Sequence, residues 1–212
     1  MNAAPRMIVF DFDGTIADSF AEVQALYGVL ASQLGLPVPS AAEIDQLRRM
    51  SPAEALRAFA IPMWKVPRIV AAVREGMRDR ISALRPFPGI HDAIRALCAA
   101  GCRCCILSSN SPENVRKFLA LNEMHEFETV SGGASLLGKA SKIRRLVRTA
   151  SAGDARVLYV GDEVRDVLAA TEAGVESVAV SWGYSDRSAL EAAGADHVVD
   201  VPAQIVSLLA RR

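Results

Sequence analysis

Short apolar runs recur along the chain at residues 7–10, 103–107, 127–130, 156–160, 177–180 and 197–199. Each is strand-sized, and from residue 89 onward stretches of helical periodicity separate them. The helical stretches cover residues 90–100, 112–121, 140–149, 164–173 and 188–193, and a last one follows Pro202. Strand and helix in alternation predict an α/β fold: a Rossmann-like parallel sheet core with helices on both faces.

The segment between the first two strands breaks this alternation. Residues 20–84 carry no strand signal. Helical patterns cover residues 19–34 and 41–50, then run from Ser51-Pro52 to about residue 59, and from about residue 67 to 83. Ser51 is a cap and Pro52 suits the first helical position. Pro86, Pro88 and Gly89 mark the return to the alternating pattern. The expected organisation is a core of residues 1–18 and 85–212, with a small all-helical cap, residues 19–84, inserted after the first strand.

Composition narrows the function without naming it. The chain has 212 residues, enough for a good core plus a small insert. Lys and Arg total 24, as do Asp and Glu, so the formal net charge is zero. Without a charge run, neither nucleic acid nor a membrane surface is an expected partner. No signal peptide or membrane span is visible, and a cytoplasmic protein is expected. The four cysteines are Cys98, Cys102, Cys104 and Cys105. Cys104 and Cys105 are neighbours on a strand, so they point to opposite faces and are poorly placed to share one metal. Reduced thiols in or near the core are expected. His91, His125 and His197 share no metal-like spacing.

The chemistry concentrates after the first strand. Met7 to Phe10 leads into Asp11 and Asp13, then Gly14-Thr15. Residues i and i+2 of a strand share a face, so both carboxylates emerge together, and Gly14 lets the chain bend. Acids this close repel, and a cation or a shared proton must relieve them. Mg²⁺ suits the pair, because it prefers carboxylate oxygens and retains waters that phosphate can replace. A carboxylate can also attack phosphorus to give an aspartyl phosphate. Ligands of parallel sheets bind beyond the carboxyl ends of the strands. The other strand ends there carry Ser108-Ser109-Asn110 and Gly161-Asp162-Glu163.

Asp-Phe-Asp-Gly-Thr, followed by Asp18-Ser19, resembles the first motif of the haloacid dehalogenase-like hydrolases, closest to their phosphoglycolate phosphatase branch. Ser108 matches the second motif, and Gly161-Asp162 with Asp166 matches the fourth. Trp182-Gly183-Tyr184 and Gly194-Ala195-Asp196 also look like that branch. The resemblance implies Mg²⁺-dependent hydrolysis of a small phosphorylated metabolite. Asp11 is then the nucleophile, and Asp13 the acid that protonates the leaving oxygen and later the base that activates water. It assigns the metal to the Asp11 side chain, the Asp13 backbone carbonyl and Asp162, with Asp166 ordering metal waters or pairing with a lysine. Gly14, Ser108 and Ser109 would hold phosphate, together with a lysine before a helix. Lys139 is the first choice for that lysine and Lys142 the second. Arg48-Arg49 and Lys65 with Arg68 offer cations for an acidic end of the substrate, or simply solvated helix faces. A phosphomutase or a dehalogenase of the same fold remains the alternative, as does a catalytically idle binding protein. Monomer and homodimer are both open.

Overall fold

A computed structural model describes residues 7–133, 138–150 and 156–210. Residues 1–6, 134–137, 151–155 and 211–212 of the expected core lie outside the described residues.

Six strands form one parallel sheet: β1 (Met7–Phe10), β2 (Arg103–Leu107), β3 (Phe127–Ser131), β4 (Val157–Gly161), β5 (Glu176–Val180) and β6 (His197–Val199), in the order β3-β2-β1-β4-β5-β6. The alternation of strand side chains builds two cores. Ile8, Phe10 and Cys104 pack on one face, and Met7, Val9 and Cys105 on the other. The four cysteines are free thiols, and Cys104 and Cys105 face opposite ways as expected.

The crossover helices are α5 (Ile90–Ala99), α6 (Pro112–Leu121), α7 (Lys139–Ala150), α8 (Val164–Ala173) and α9 (Arg187–Ala192), and α10 (Ala203–Ser207) follows the last strand. The strand order reverses direction at β1. That strand therefore has β2 on one side and β4 on the other, with Met7 level with Arg103 and Val157. Such a switch point opens a crevice at the carboxyl end of the sheet.

The segment between β1 and β2 is helical, with α1 (Phe20–Leu34), α2 (Ala41–Leu47), α3 (Pro52–Ala58), a 3₁₀ turn (Met63–Lys65) and α4 (Val66–Arg80). Capping boxes at Ser40 with Glu43 and at Ser51 with Glu54 start α2 and α3. The helix expected over 41–50 stops at Leu47 because the next residue is held elsewhere. The Arg48 carbonyl accepts the Asp186 N–H, and the Arg48 guanidinium donates to the Gly183 carbonyl. The chain enters and leaves this insert through adjacent backbone. The Asp18 N–H donates to the Arg85 carbonyl at 3.0 Å, and the Phe87 N–H to the Ile16 carbonyl at 3.0 Å.

Candidate active site

The bend after β1 aims two carboxylates into the crevice. Asp11 is buried, and its Oδ1 accepts the N–H of Phe12 at 2.8 Å. Gly14 has a φ of 77° and lies against Asp162: a Cβ there would stand 2.1 Å from Asp162 Oδ2. That close approach, as well as the bend, requires glycine.

Beyond β4, the carboxylate of Asp162 is held on both oxygens. Thr15 Oγ1 donates to Oδ1 at 2.7 Å, and the Tyr184 N–H donates to Oδ2 at 2.8 Å. Asp166 lies one turn into α8, and its Oδ2 accepts the Glu163 N–H at 3.1 Å. Asp11, Asp162 and Asp166 bring carboxylate oxygens within 4.8 Å of one another, all buried. Among the described residues no other group of three His, Cys, Asp or Glu side chains converges this closely.

Lys139 opens α7 and is buried between two of these acids. Its Nζ donates to Asp11 Oδ2 at 2.6 Å and to Asp166 Oδ1. Lys142, one turn on, donates instead to the Gly132 carbonyl at 3.3 Å. Of the two candidate lysines, Lys139 is the one brought to Asp11.

Ser108 and Ser109 end β2 on the other side of β1. Ser108 Oγ is buried and accepts the Asn110 N–H at 2.9 Å, while Ser109 lines the open crevice. Asn110 links this strand end to the acids. Its Nδ2 donates to Asp13 Oδ2 at 3.1 Å, and its Oδ1 accepts from Asn114 Nδ2 at 3.0 Å. Asn114 in turn donates to the Arg74 carbonyl on α4 at 3.2 Å. The sequence reading named Asn110 at the strand end but gave it no task. Asn114, in the first turn of α6, had no signal in the sequence beyond its closeness to Asn110, which lies just before the Ser111 cap.

The electrostatics are unbalanced. Burial pushes the Asp11 carboxyl up against the pull of Lys139, and burial with the neighbouring acids also pushes Asp162 up. Burial also raises Asp166, but Lys139 and Arg165 outweigh it and hold that carboxyl low. The same two acids keep Lys139 protonated despite its burial. Asp13 is raised by burial, and its Oδ1 is buried with no partner. Lys139 therefore pairs with two of the three converging carboxylates and not with Asp162, and Asp13 beside them has one oxygen without a partner. Such a donor set suits a hard cation with oxygen ligands.

The other sequence candidates lie apart. His91 pairs with Glu126 at 3.0 Å, His197 pairs with Glu176, and His125 is exposed. Arg49 pairs with Asp186, Lys65 Nζ donates to the Leu34 carbonyl, and Arg68 is exposed.

Buried acids and a lysine meet at the switch point of a parallel α/β sheet, where proteins of this class bind their ligands. The chain belongs to the haloacid dehalogenase-like hydrolase family, which it matches over residues 8–180. It is 35% identical over 202 residues to the phosphoglycolate phosphatase of Synechococcus elongatus, covering 95% of each chain. A haloacid dehalogenase-like family protein from Streptococcus pneumoniae shares the fold with a TM-score of 0.78 at 22% identity, over 97% of this chain and 98% of that one. CbbY from Rhodobacter sphaeroides, solved in complex with phosphate, shares it with a TM-score of 0.72 at 21% identity, over 95% and 96% of the two chains. No described helix is long and apolar enough to cross a membrane.

Proposed function

We propose that the protein is a Mg²⁺-dependent phosphatase that hydrolyses a small phosphate monoester through an aspartyl phosphate, as its phosphoglycolate phosphatase relatives suggest. The observation that carries the reading is the Lys139 Nζ contact at 2.6 Å with Asp11, at the mouth of a buried carboxylate triad. Asp11 and Asp162, with the Asp13 backbone carbonyl, would hold the ion, and Asp166 would order its waters. The bound ion supplies positive charge that offsets repulsion between the nucleophile and the phosphate.

The residues divide the remaining work. Asp11 Oδ attacks phosphorus, the P–O bond to the alcohol breaks, and Asp13 gives its proton to the departing oxygen. Asp13 then takes a proton from the water that attacks the aspartyl phosphate, which releases phosphate and restores Asp11. Asn110 orients Asp13 for both transfers by donating to its Oδ2. Ser108, Ser109, Gly14 and Lys139 cradle the phosphate oxygens. The helical insert serves as a cap that limits water at the site until the second step.

Asp13 also favours a phosphatase over a dehalogenase, because a departing halide needs no proton donor. The test is Asp11→Asn. Turnover of a simple alkyl phosphate should vanish, no hydroxylamine-sensitive phosphorylated protein should be trapped, and the circular dichroism spectrum should be unchanged. Chelation should silence the wild type, with Mg²⁺ restoring it. A folded Asp11→Asn protein that keeps substantial activity would sink the reading.

A further inference from the structure

Two buried amides run between the insert and the acids. Asn110 is 5% exposed and Asn114 4%. The backbone of Asn110 is pinned on both sides: its N–H donates to Ser108 Oγ at 2.9 Å, and its carbonyl accepts the Gly133 N–H at 2.8 Å. The Asn114 N–H is used by the Ser111 cap of α6 at 3.1 Å. Only the side chains are left to act, and they form one chain of hydrogen bonds. The Arg74 carbonyl accepts from Asn114 Nδ2 at 3.2 Å, Asn110 Oδ1 accepts from the same nitrogen at 3.0 Å, and Asp13 Oδ2 accepts from Asn110 Nδ2 at 3.1 Å. Arg74 belongs to α4, which borders a cavity of about 780 Å³ between insert and core, with Ile69 and Arg74 on its wall. Asn114 belongs to α6, in the core.

Two backbone groups dictate the polarity of this chain. An amide presents oxygen and nitrogen on ends of nearly equal shape, and only one way round suits a carboxylate. Asn110 Nδ2 attracts Asp13, whereas a flipped amide would set Oδ1 against the carboxylate oxygen. The Ser111 N–H can only donate, and it holds Asn110 Oδ1 at 2.8 Å. The Arg74 carbonyl can only accept, and it turns Asn114 Nδ2 toward itself, from where the second N–H of that nitrogen reaches Asn110 Oδ1. Without Asn114, Asn110 Oδ1 would keep a single donor, and the Arg74 carbonyl would lose its tie to the core. Packing alone does not account for a chain that starts on a backbone acceptor of the insert and ends on the carboxylate of the acid.

We propose that Asn114 is a positioning residue for the reaction. It holds the Asn110 amide in the orientation that sets Asp13 for proton transfer, and it takes its own bearing from α4 of the insert. Asp13 is thereby best aligned while α4 is seated on α6. Asn114 touches neither the substrate nor the reacting atoms. This rests on the phosphatase reading above and adds a residue that tunes its proton transfer.

The experiment uses the full chain with Mg²⁺. It compares an alkyl phosphate, whose leaving oxygen needs a proton, with the phosphate of an acidic phenol, whose leaving oxygen needs little help. Asn114→Leu, of similar size, removes both donated bonds, and Asn114→Ala does so with less bulk should the Leu variant not fold. Each should slow formation of the phosphorylated protein from the alkyl ester about three- to tenfold in single turnover, the worth of one ordinary hydrogen bond. KM should be unchanged and the aryl ester largely spared. Asn110→Ala should show the same selectivity, and adding Asn114→Leu to it should cost nothing more, because residues that act through one another are not additive. Hydrogen exchange in α4 should quicken in Asn114→Leu while α5 stays protected. Equal loss on both esters in the folded variants, full additivity with Asn110→Ala, or unchanged exchange in α4 would each overturn the proposal. So would variants that keep the wild-type rate on the alkyl ester. No turnover of any ester by the wild type, with no phosphorylated protein, would instead overturn the phosphatase reading, and this proposal with it.

Discussion

The sheet and the insert solve the problem of burial differently. All four residues of β1 and all five of β4 are buried, and α5 alone sinks Ile90, Ala93, Ile94 and Leu97. The two longest helices of the insert, α1 and α4, bury one residue each. Packing density makes the core a rigid base that can hold carboxylates within hydrogen-bond tolerance. The insert keeps its apolar surface half open. On the function proposed above, the core would carry the chemistry and the insert the selectivity.

The largest expected effect tests that division at Asp13. Asp13→Asn should slow alkyl phosphates about 10²–10⁴-fold, the usual worth of general acid–base help. The factor should be the same for ethyl and octyl phosphate, because the lost proton transfer belongs to the core. Aryl phosphates, whose alcohols leave readily, should lose less in the first step and should accumulate phosphorylated protein. Single-turnover kinetics with trapping reads both. Equal losses on alkyl and aryl esters would assign Asp13 a structural part instead.

Stability gives the next contrast. Ile94→Ala should cost about 2–5 kcal/mol, as deletions in close-packed cores do. Ile69→Ala, on the cavity wall, should cost about 1 kcal/mol or less, because the site already lacks neighbours on one side. Urea unfolding of both variants checks this, and similar costs would erase the contrast between core and insert.

The smallest effect lies at the far side of the sheet. Glu176 on β5 pairs with Arg156 and His197, and chiefly the hydrogen bonds from Arg156 hold its carboxyl down to about 2. A depressed folded pKa stabilises above the unfolded value of 4.5 and is lost as the pH falls toward about 2. The side chain is part-buried at the edge of solvent, and screening there leaves about 1 kcal/mol at neutral pH. Glu176→Gln should therefore be less stable than wild type at pH 7 and indistinguishable near pH 2. A gap that widens in acid would reverse the assignment.

Much of this was legible in the sequence because local patterns agreed with the fold. β2 and α6 fall on the expected residues, since an apolar run and a Ser-Pro cap mark their limits. Asp11 and Asp162 were readable at the carboxyl ends of strands, and Asp166 through the resemblance of Gly161-Asp162 with Asp166 to a family motif. Less was readable where distant contacts decide. Nothing local says that Gly183 and Asp186 would claim Arg48 and end α2. Lys139 and Lys142 look alike as helix-start lysines, and only the direction of α7 sends the first to Asp11 and the second to Gly132. The cations read as possible partners for an acidic substrate, Arg48, Arg49 and Lys65, are occupied by intramolecular partners that a pattern of residues does not reveal.

The paired backbone at Asp18 with Arg85 and Ile16 with Phe87 has a consequence for how this architecture diversifies. The core closes its own chain beneath the insert, so the two ends of the inserted segment are already side by side. Loop-closure cost grows only slowly with length, about 0.6 kcal/mol for each doubling. A segment of any size whose ends meet can therefore be exchanged at this junction without moving Asp11. The junction works like a socket: what is plugged in between Asp18 and Arg85 can change in length while the backbone pairs beneath hold its two ends together.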